Sequence, residues 1–192
     1  QAASVRITAR RQHPAPANPI TLIQAIAKGP AMEGLIHRAV ELGCRRLVPL
    51  ISERSVSRPD SAGEKQAKWQ SIAIEAAKQS GNPWWLEVTA PQTPAQWLRN
   101  PPPPLELLLV ASLEDVPRPL HQHLAETNAT LGRAPHSVGV LIGPEGDFSP
   151  AEYQLFRTAG ARPFSLGPYV LRVETAATAA LAMIQNLLRE KF

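Results

Sequence analysis

The chain has 192 residues, 44% hydrophobic and 19% charged, enough apolar matter for one packed domain and too much for a disordered polymer. No apolar run approaches a bilayer-spanning helix, and the single cysteine, Cys44, excludes an internal disulfide, in keeping with a reducing cytoplasm. The formal charge of +4 is unevenly placed: twelve Lys and Arg face six Asp and Glu up to Lys78, and eight face ten beyond it.

The basic half is mostly arginine, whose planar fork suits phosphate. A one-sided basic face is the footprint of a polyanion partner, although an ordinary solvated surface has the same composition.

In chain order, "QAASVRITARRQHPAPANP" (Gln1 to Pro19) starts strand-like and ends in a proline-rich linker. It reads as the remnant of a preceding domain. "ITLIQAI" (Ile20 to Ile26) is a strand. In "AMEGLIHRAVELG", Met32, Leu35, Ile36, Ala39 and Val40 recur at helical spacing, and Gly43 is a natural stop. "RRLVPLIS" is a second strand. "EKQAKWQSIAIEAAKQSG" is a helix with Trp69, Ile72, Ala73, Ala76 and Ala77 on one face and Gly81 at its end.

"WWLEVTA" is expected to be a third strand, and Thr93 with Pro94 opens a short helix. "LELLLVAS" (Leu105 to Ser112) is apolar throughout, as in a strand covered on both faces. A weaker helix around "PLHQHLAETNAT" precedes the buried strand "SVGVLI". Ser149, Pro150 and Glu152 form a capping box with proline at the first helical position, and that helix stops at Gly160. "PFSLG" is a short strand. The last helix carries Ala177, Ala180, Leu181, Ile184, Leu187 and Leu188 on one face. Strands alternating with helices predict an α/β fold with a largely parallel sheet flanked by helices.

Two strand-end loops carry the chemistry: "GPEGDFS" (Gly143 to Ser149) and "LGPYVLRVETA" (Leu166 to Ala176). In open parallel sheets the carboxyl ends of the strands hold ligands. Glycine lets the backbone approach a ligand and proline stiffens the turn. A tight strand-to-helix turn with no ligand would use the same residues. The known phosphate and nucleophile motifs G-x-x-x-x-G-K-[ST], G-x-G-x-x-G after the first strand and G-x-S-x-G are all missing.

Taken together, "LIGPEGDFSPAEYQLFRTAG" and "SLGPYVLRVETAATAAL" resemble the C-terminal part of the SPOUT-class 16S rRNA uridine-N3 methyltransferases. "ITLIQAIAKG", "MEGLIHRAVELGCRRLVPLISERSV" and "WQSIAIEAAKQSG" follow the same family in the same order, so the resemblance covers nearly all of 20–192. It implies a trefoil-knotted methyltransferase domain over 20–192, with 1–19 left from an N-terminal PUA-like RNA-binding domain. It implies S-adenosylmethionine as cofactor, a homodimer, 16S ribosomal RNA within the small subunit as partner, and a cytoplasmic location without membrane or metal.

Carried onto this chain, the cofactor pocket takes Ile142, Gly143, Glu145 and Gly146 from the first loop. From the second it takes Leu166, Gly167, Leu171, Arg172, Glu174, Thr175 and Ala176, with a third wall at Ala111 to Leu113. Arg172 and Glu174 are the candidate catalytic residues. Arg172 can neutralise the uracil ring as its N3 proton leaves, or pair with Glu174 or Glu145 instead. Glu174 can serve as an anchor or remote base, or favour the N-terminus of the last helix.

Arg45, Arg46, Arg54 and Arg58 are the candidate RNA contacts. The chain departs from the family at Ala31, where lysine is common, at Asn82, where arginine is common, and at Asp147, where glycine is usual. Another SPOUT enzyme acting on a different RNA, or a non-catalytic RNA-binding module of the same fold, are the alternatives.

Other reactive side chains fit bland roles better. His121 and His123 point to different helix faces and make a poor metal pair, and no zinc-spaced cluster exists, so no metal is expected. Cys44 reads as a small buried residue. Trp84 and Trp85 could stack a base, but packing of a strand is the favoured expectation.

Overall fold

A computed structural model describes residues 6–55, 62–99, 104–113 and 117–189. Arg58 lies outside the described residues. The strands are β1 (Ile20–Ala25), β2 (Arg46–Leu50), β3 (Glu87–Val88), β4 (Leu107–Ala111), β5 (Arg118–Pro119), β6 (Val138–Ile142) and β7 (Arg162–Ser165). The helices are α1 (Pro30–Glu41), α2 (Ala62–Ser80), α3 (Pro94–Arg99), α4 (Leu120–Leu131), α5 (Pro150–Thr158) and α6 (Val173–Arg189).

The seven strands form one sheet in the order β3-β2-β1-β6-β4-β7-β5, and every pairing is parallel. Side chains alternate across it as the strand period demands. Ile20 and Leu22 face one core, and Ile23 and Ala25 the other; Leu107 and Leu109 oppose Leu108 and Val110 in the same way. The first core is closed by α1, α2, α4 and α6 through residues such as Leu35, Trp69, Leu124 and Leu181. The second is closed by α3 and α5 through Trp97, Tyr153 and Phe156. The result is a three-layer sandwich whose central strands are apolar throughout because both faces are covered.

Local signals set most boundaries. Gly43 has φ 73°, and the N–H groups of Gly43 and Cys44 donate to Val40 and Ala39 carbonyls at 3.0 and 2.8 Å. That is a Schellman stop for α1. The capping box of α5 is complete: the Ser149 side chain accepts from Glu152 N–H, and the Glu152 side chain accepts from Ser149 N–H. Thr93 and Gln96 make the equivalent exchange at α3.

Two expectations are corrected. The third strand is only Glu87–Val88, on the sheet edge. Asn82 Oδ1 accepts from Trp84 N–H at 2.9 Å, and Trp85 O accepts from Arg45 Nη1 at 2.7 Å, so the backbone there is bonded away from the ladder. Trp85 consequently does not pack the strand; it is 65% exposed. Trp84 is half-buried under the Arg45 guanidinium, 5.2 Å from its ring centre. The two-residue β5 at the other edge has no sequence signal, since Arg118 and Pro119 are both exposed.

The second half of the chain also contains a pH-sensitive pair. Arg133 grips both oxygens of Glu106 at 2.7 and 2.8 Å, and His136 N–H adds a third bond at 2.7 Å. The arginine bond, then the backbone bond, hold the Glu106 carboxyl at about 2. Its pKa is depressed on folding, so its contribution is present above the ordinary value of 4.5 and is lost as pH falls towards 2. Glu106→Gln is therefore expected to lower the melting temperature slightly at pH 7 and to flatten its fall between those pH values. A melting series in acid checks it.

Candidate functional site

The carboxyl ends of β4, β6 and β7 open on one cavity of about 710 Å³. Its first wall is the turn after β6. Pro144 O accepts from Asp147 N–H at 2.9 Å, which closes a four-residue turn around Glu145 and Gly146. Asp147 has φ 60°, the one non-glycine residue in the left-handed region among the described residues. Its Oδ1 accepts from its neighbour Phe148 N–H and from Tyr153 OH, both at 2.8 Å. Short polar side chains tolerate this conformation by such local bonds. Burial, with the Asp147 carboxylate beside it, pushes the Tyr153 phenol well above its ordinary range, so it remains a donor.

Phe148 then packs edge-on against Tyr153 and Phe156, with centroids at 5.8 and 4.8 Å, and fixes where the loop enters α5. A Cβ at Gly143 would lie 2.9 Å from Asp147 Oδ1 and 3.3 Å from Phe148 N. Gly143 is thus required by the fold of the turn itself.

The second wall is the loop from β7 to α6. Leu166, Gly167, Leu171, Arg172, Glu174 and Ala176 line the cavity, together with Phe164, Ser165, Tyr169, Val170 and Val173. Gly167 has φ 126°, a conformation that side-chain-bearing residues rarely adopt. Ala111, Ser112 and Leu113 supply the third wall. Ile142, Gly143 and Glu145 reach it from the first.

Two expected residues are not brought in. Thr175 is on the exposed side of the first turn of α6. Gly146 is turned outward, against Arg54. Several lining residues are not among those expected from sequence, including Pro144, Phe164, Ser165, Tyr169, Val170 and Val173 in or beside the two loops. Ala31 at the start of α1 and Pro117 are far from the motif glycines in sequence, and Asp147 reads there only as a departure from the family pattern. Glu145 links the site to the segment between β1 and α1, since its Oε1 accepts from Lys28 N–H at 3.3 Å.

Arg172 is exposed and makes no ion pair among the described residues, so neither Glu174 nor Glu145 holds it. Glu174 sits in the first turn of α6, half-buried at the cavity edge. Its helix-dipole role and its place in the cavity are compatible.

Three of the candidate RNA arginines, those among the described residues, have intramolecular partners. Arg46 makes a two-pronged pair with Glu87 at 2.9 and 3.1 Å. Arg54 Nη1 donates to Gly146 O at 3.0 Å and Phe148 O at 3.4 Å. Arg45 is committed to Trp84 and Trp85.

The expectation that Cys44 is a small buried residue agrees with the structure. Cys44 is fully buried, and burial pushes its thiol up to about 12, which leaves it inert. His123 is buried with Nε2 2.9 Å from Pro163 O, while His121 is exposed. Among the described residues no three His, Cys, Asp or Glu side chains are grouped as metal ligands. Among the same residues no helix is long and apolar enough to cross a membrane.

A family model for an RNA methyltransferase domain matches residues 13–185. The chain belongs to this family. It is 37% identical over 172 residues to the ribosomal RNA small subunit methyltransferase E of Synechocystis, covering 88% of this chain and 54% of that protein. To the Aquifex aeolicus protein of the same name it is 31% identical, covering 89% of this chain and 70% of the relative. It thus spans about half to two thirds of such relatives.

Among solved structures, a Legionella pneumophila methyltransferase in complex with bound S-adenosylmethionine superposes with a TM-score of 0.79 at 34% identity. It covers 88% of this chain and 66% of that one. The Neisseria gonorrhoeae methyltransferase E, bound to S-adenosylmethionine, gives 0.72 at 33% identity over the same shares. In this RNA methyltransferase domain, α6 leaves β7 and returns to pack on α1, β1 and β6.

Proposed function

We propose that this chain binds S-adenosylmethionine in the cavity between the two loops and methylates N3 of a uridine in 16S ribosomal RNA. The observation that carries the reading is the convergence of both glycine-proline loops and Ala111 to Leu113 on one cavity, in a chain similar to two methyltransferases solved with that cofactor bound.

The lining fits such a group. About 710 Å³ lies within the usual range of roughly 300–1,000 Å³ for small-molecule sites. Ile142, Leu166, Leu171 and Val173 offer an apolar bed for an adenine ring and a thioether. Glu145 and Glu174 offer carboxylates for ribose hydroxyls and an amino group. When bound, S-adenosylmethionine supplies a methyl group already activated on a sulfonium.

The protein's part is then alignment and charge. Uridine N3–H is a weak acid, and the negative charge left on the ring as the proton departs spreads onto O2 and O4. Arg172 is the residue to which this reading gives that stabilising role, since it is exposed at the cavity and has no ion pair among the described residues. Glu174 is the nearby carboxylate, an anchor or a remote proton acceptor.

Residues 20–192 form the catalytic domain in this reading, acting in the cytoplasm on the small subunit. The exposed apolar residues Leu113, Tyr169 and Val170 around the cavity, 63, 80 and 77% accessible, suit cover by a second copy in a homodimer. The test is incubation with labelled S-adenosylmethionine and 16S RNA or small subunits, followed by nucleoside analysis. Label in 3-methyluridine is expected. Label in another nucleoside would move the activity to a different RNA target. Cofactor binding with no transfer to any RNA would remove the uridine assignment.

A further inference from the structure

In the sequence Arg54 is a candidate RNA contact, but its fork is aimed at protein. Nη1 donates to Gly146 O at 3.0 Å and to Phe148 O at 3.4 Å. Its aliphatic stem runs along the glycine: a Cβ at Gly146 would lie 3.5 Å from Arg54 Cβ and 3.7 Å from Cδ. These two carbonyls flank Asp147, the residue in the left-handed region.

The segment carrying Arg54 is itself anchored. Glu53 N–H donates to Glu152 Oε1 at 2.9 Å, while Glu152 Oε2 accepts from Ser149 N–H at 2.9 Å. One buried carboxylate therefore joins the Arg54 segment to the cap of α5. Ser52 and Ser55 close a turn through Ser55 N–H to Ser52 O at 3.1 Å and Ser52 N–H to Ser55 Oγ at 3.2 Å.

We infer that Arg54 is a positioning residue, which clasps the 143–148 turn from outside and holds the cavity wall in its binding shape. The inference rests on the cofactor reading above. Charge-assisted bonds to carbonyls are among the stronger hydrogen bonds. The turn they hold contains a left-handed aspartate, which without support relaxes to more populated backbone angles. Inside the turn, Tyr153 holds Asp147; outside, Arg54 holds its neighbours. Arg54 touches neither the cavity nor any reacting atom, so it acts through Gly143, Glu145 and Asp147, which do line it.

The test compares the wild-type chain with Arg54→Ala and Arg54→Lys. Hydrogen exchange of the 143–149 amides, measured without cofactor, is expected to quicken in Arg54→Ala and to be partly restored in Arg54→Lys, which keeps one charged donor. Affinity for S-adenosylmethionine is expected to weaken about tenfold or more in Arg54→Ala. Affinity for RNA, and its slope against salt, should stay unchanged. Unchanged loop exchange overturns the inference. So does a loss of RNA affinity with a salt slope reduced by about one, which marks a phosphate contact. If the wild-type chain binds no cofactor while the exchange still quickens, the clasp stands and the cofactor reading falls.

Discussion

Gly143→Val is expected to weaken S-adenosylmethionine binding by about a hundredfold or more while leaving the chain folded. The first added carbon already meets Asp147 Oδ1 at 2.9 Å and Phe148 N at 3.3 Å. Asp147 cannot step aside cheaply, because Tyr153 OH and Phe148 N–H both hold that same oxygen at 2.8 Å. The two further methyl groups of valine add to the clash, so the turn must open and its cavity face must move.

Overpacking of this kind costs about 1–3 kcal/mol. The residue is at the end of β6, beyond the fully buried run Val138–Ile142, and the main cores are untouched. The thermal melt should therefore fall by only a few degrees, on the order expected for that cost. Calorimetric titration beside a melting curve separates the two effects. Wild-type-like binding in a folded variant would remove the turn from the cofactor site.

Arg172→Ala is expected to lower methyl transfer to RNA by about 10²–10³-fold, the size found when one charge-stabilising donor is removed from an active site. Cofactor affinity and melting temperature should change little. The side chain is exposed and has no ion pair among the described residues, so its removal strands no partner. The start of α6 is also spared: Arg172 contributes its backbone carbonyl there, which accepts from Ala176 N–H at 2.8 Å in any residue.

Arg172→Lys keeps the charge but not the fork, and partial activity is expected. Single-turnover rates with saturating cofactor are the measurement. A rate within twofold of wild type in Arg172→Ala would transfer the role elsewhere, with Glu174 the next residue to vary.

Both variants concern residues legible in the sequence, and the reason is local. Glycine at a turn, proline at a first helical position and the Ser149–Glu152 box are set by neighbours a few residues away. The same is true of the stops at Gly43, Gly81 and Gly160, all at positive φ. The continuous apolar run 105–112 also reads as a strand covered on both faces, because neither of its sides suits water. The pairing of the two loops was also readable, through resemblance to a family in which they occur together.

What the sequence alone could not determine is what lies across space from each charged group. Arg46 finds Glu87 41 residues on, and Arg54 finds Gly146 92 residues on. Neither separation has a local signature, so arginines in a basic stretch looked free when they are engaged. Gly146 is drawn outward to Arg54 and away from the cavity for the same reason. Trp85 depends on strand order: β3 is the edge of the sheet, with no strand beyond it among the described residues to cover an indole. Ala31 joins the cavity because β1 lies next to β6, which delivers the start of α1 beside the turn that follows β6. Composition and short-range pattern determined the helices, the central strands and the glycine turns, but not the two short edge strands β3 and β5. The parallel sheet order, fixed by burial of both faces at once, decided which of those turns share a cavity and which arginines hold them in place.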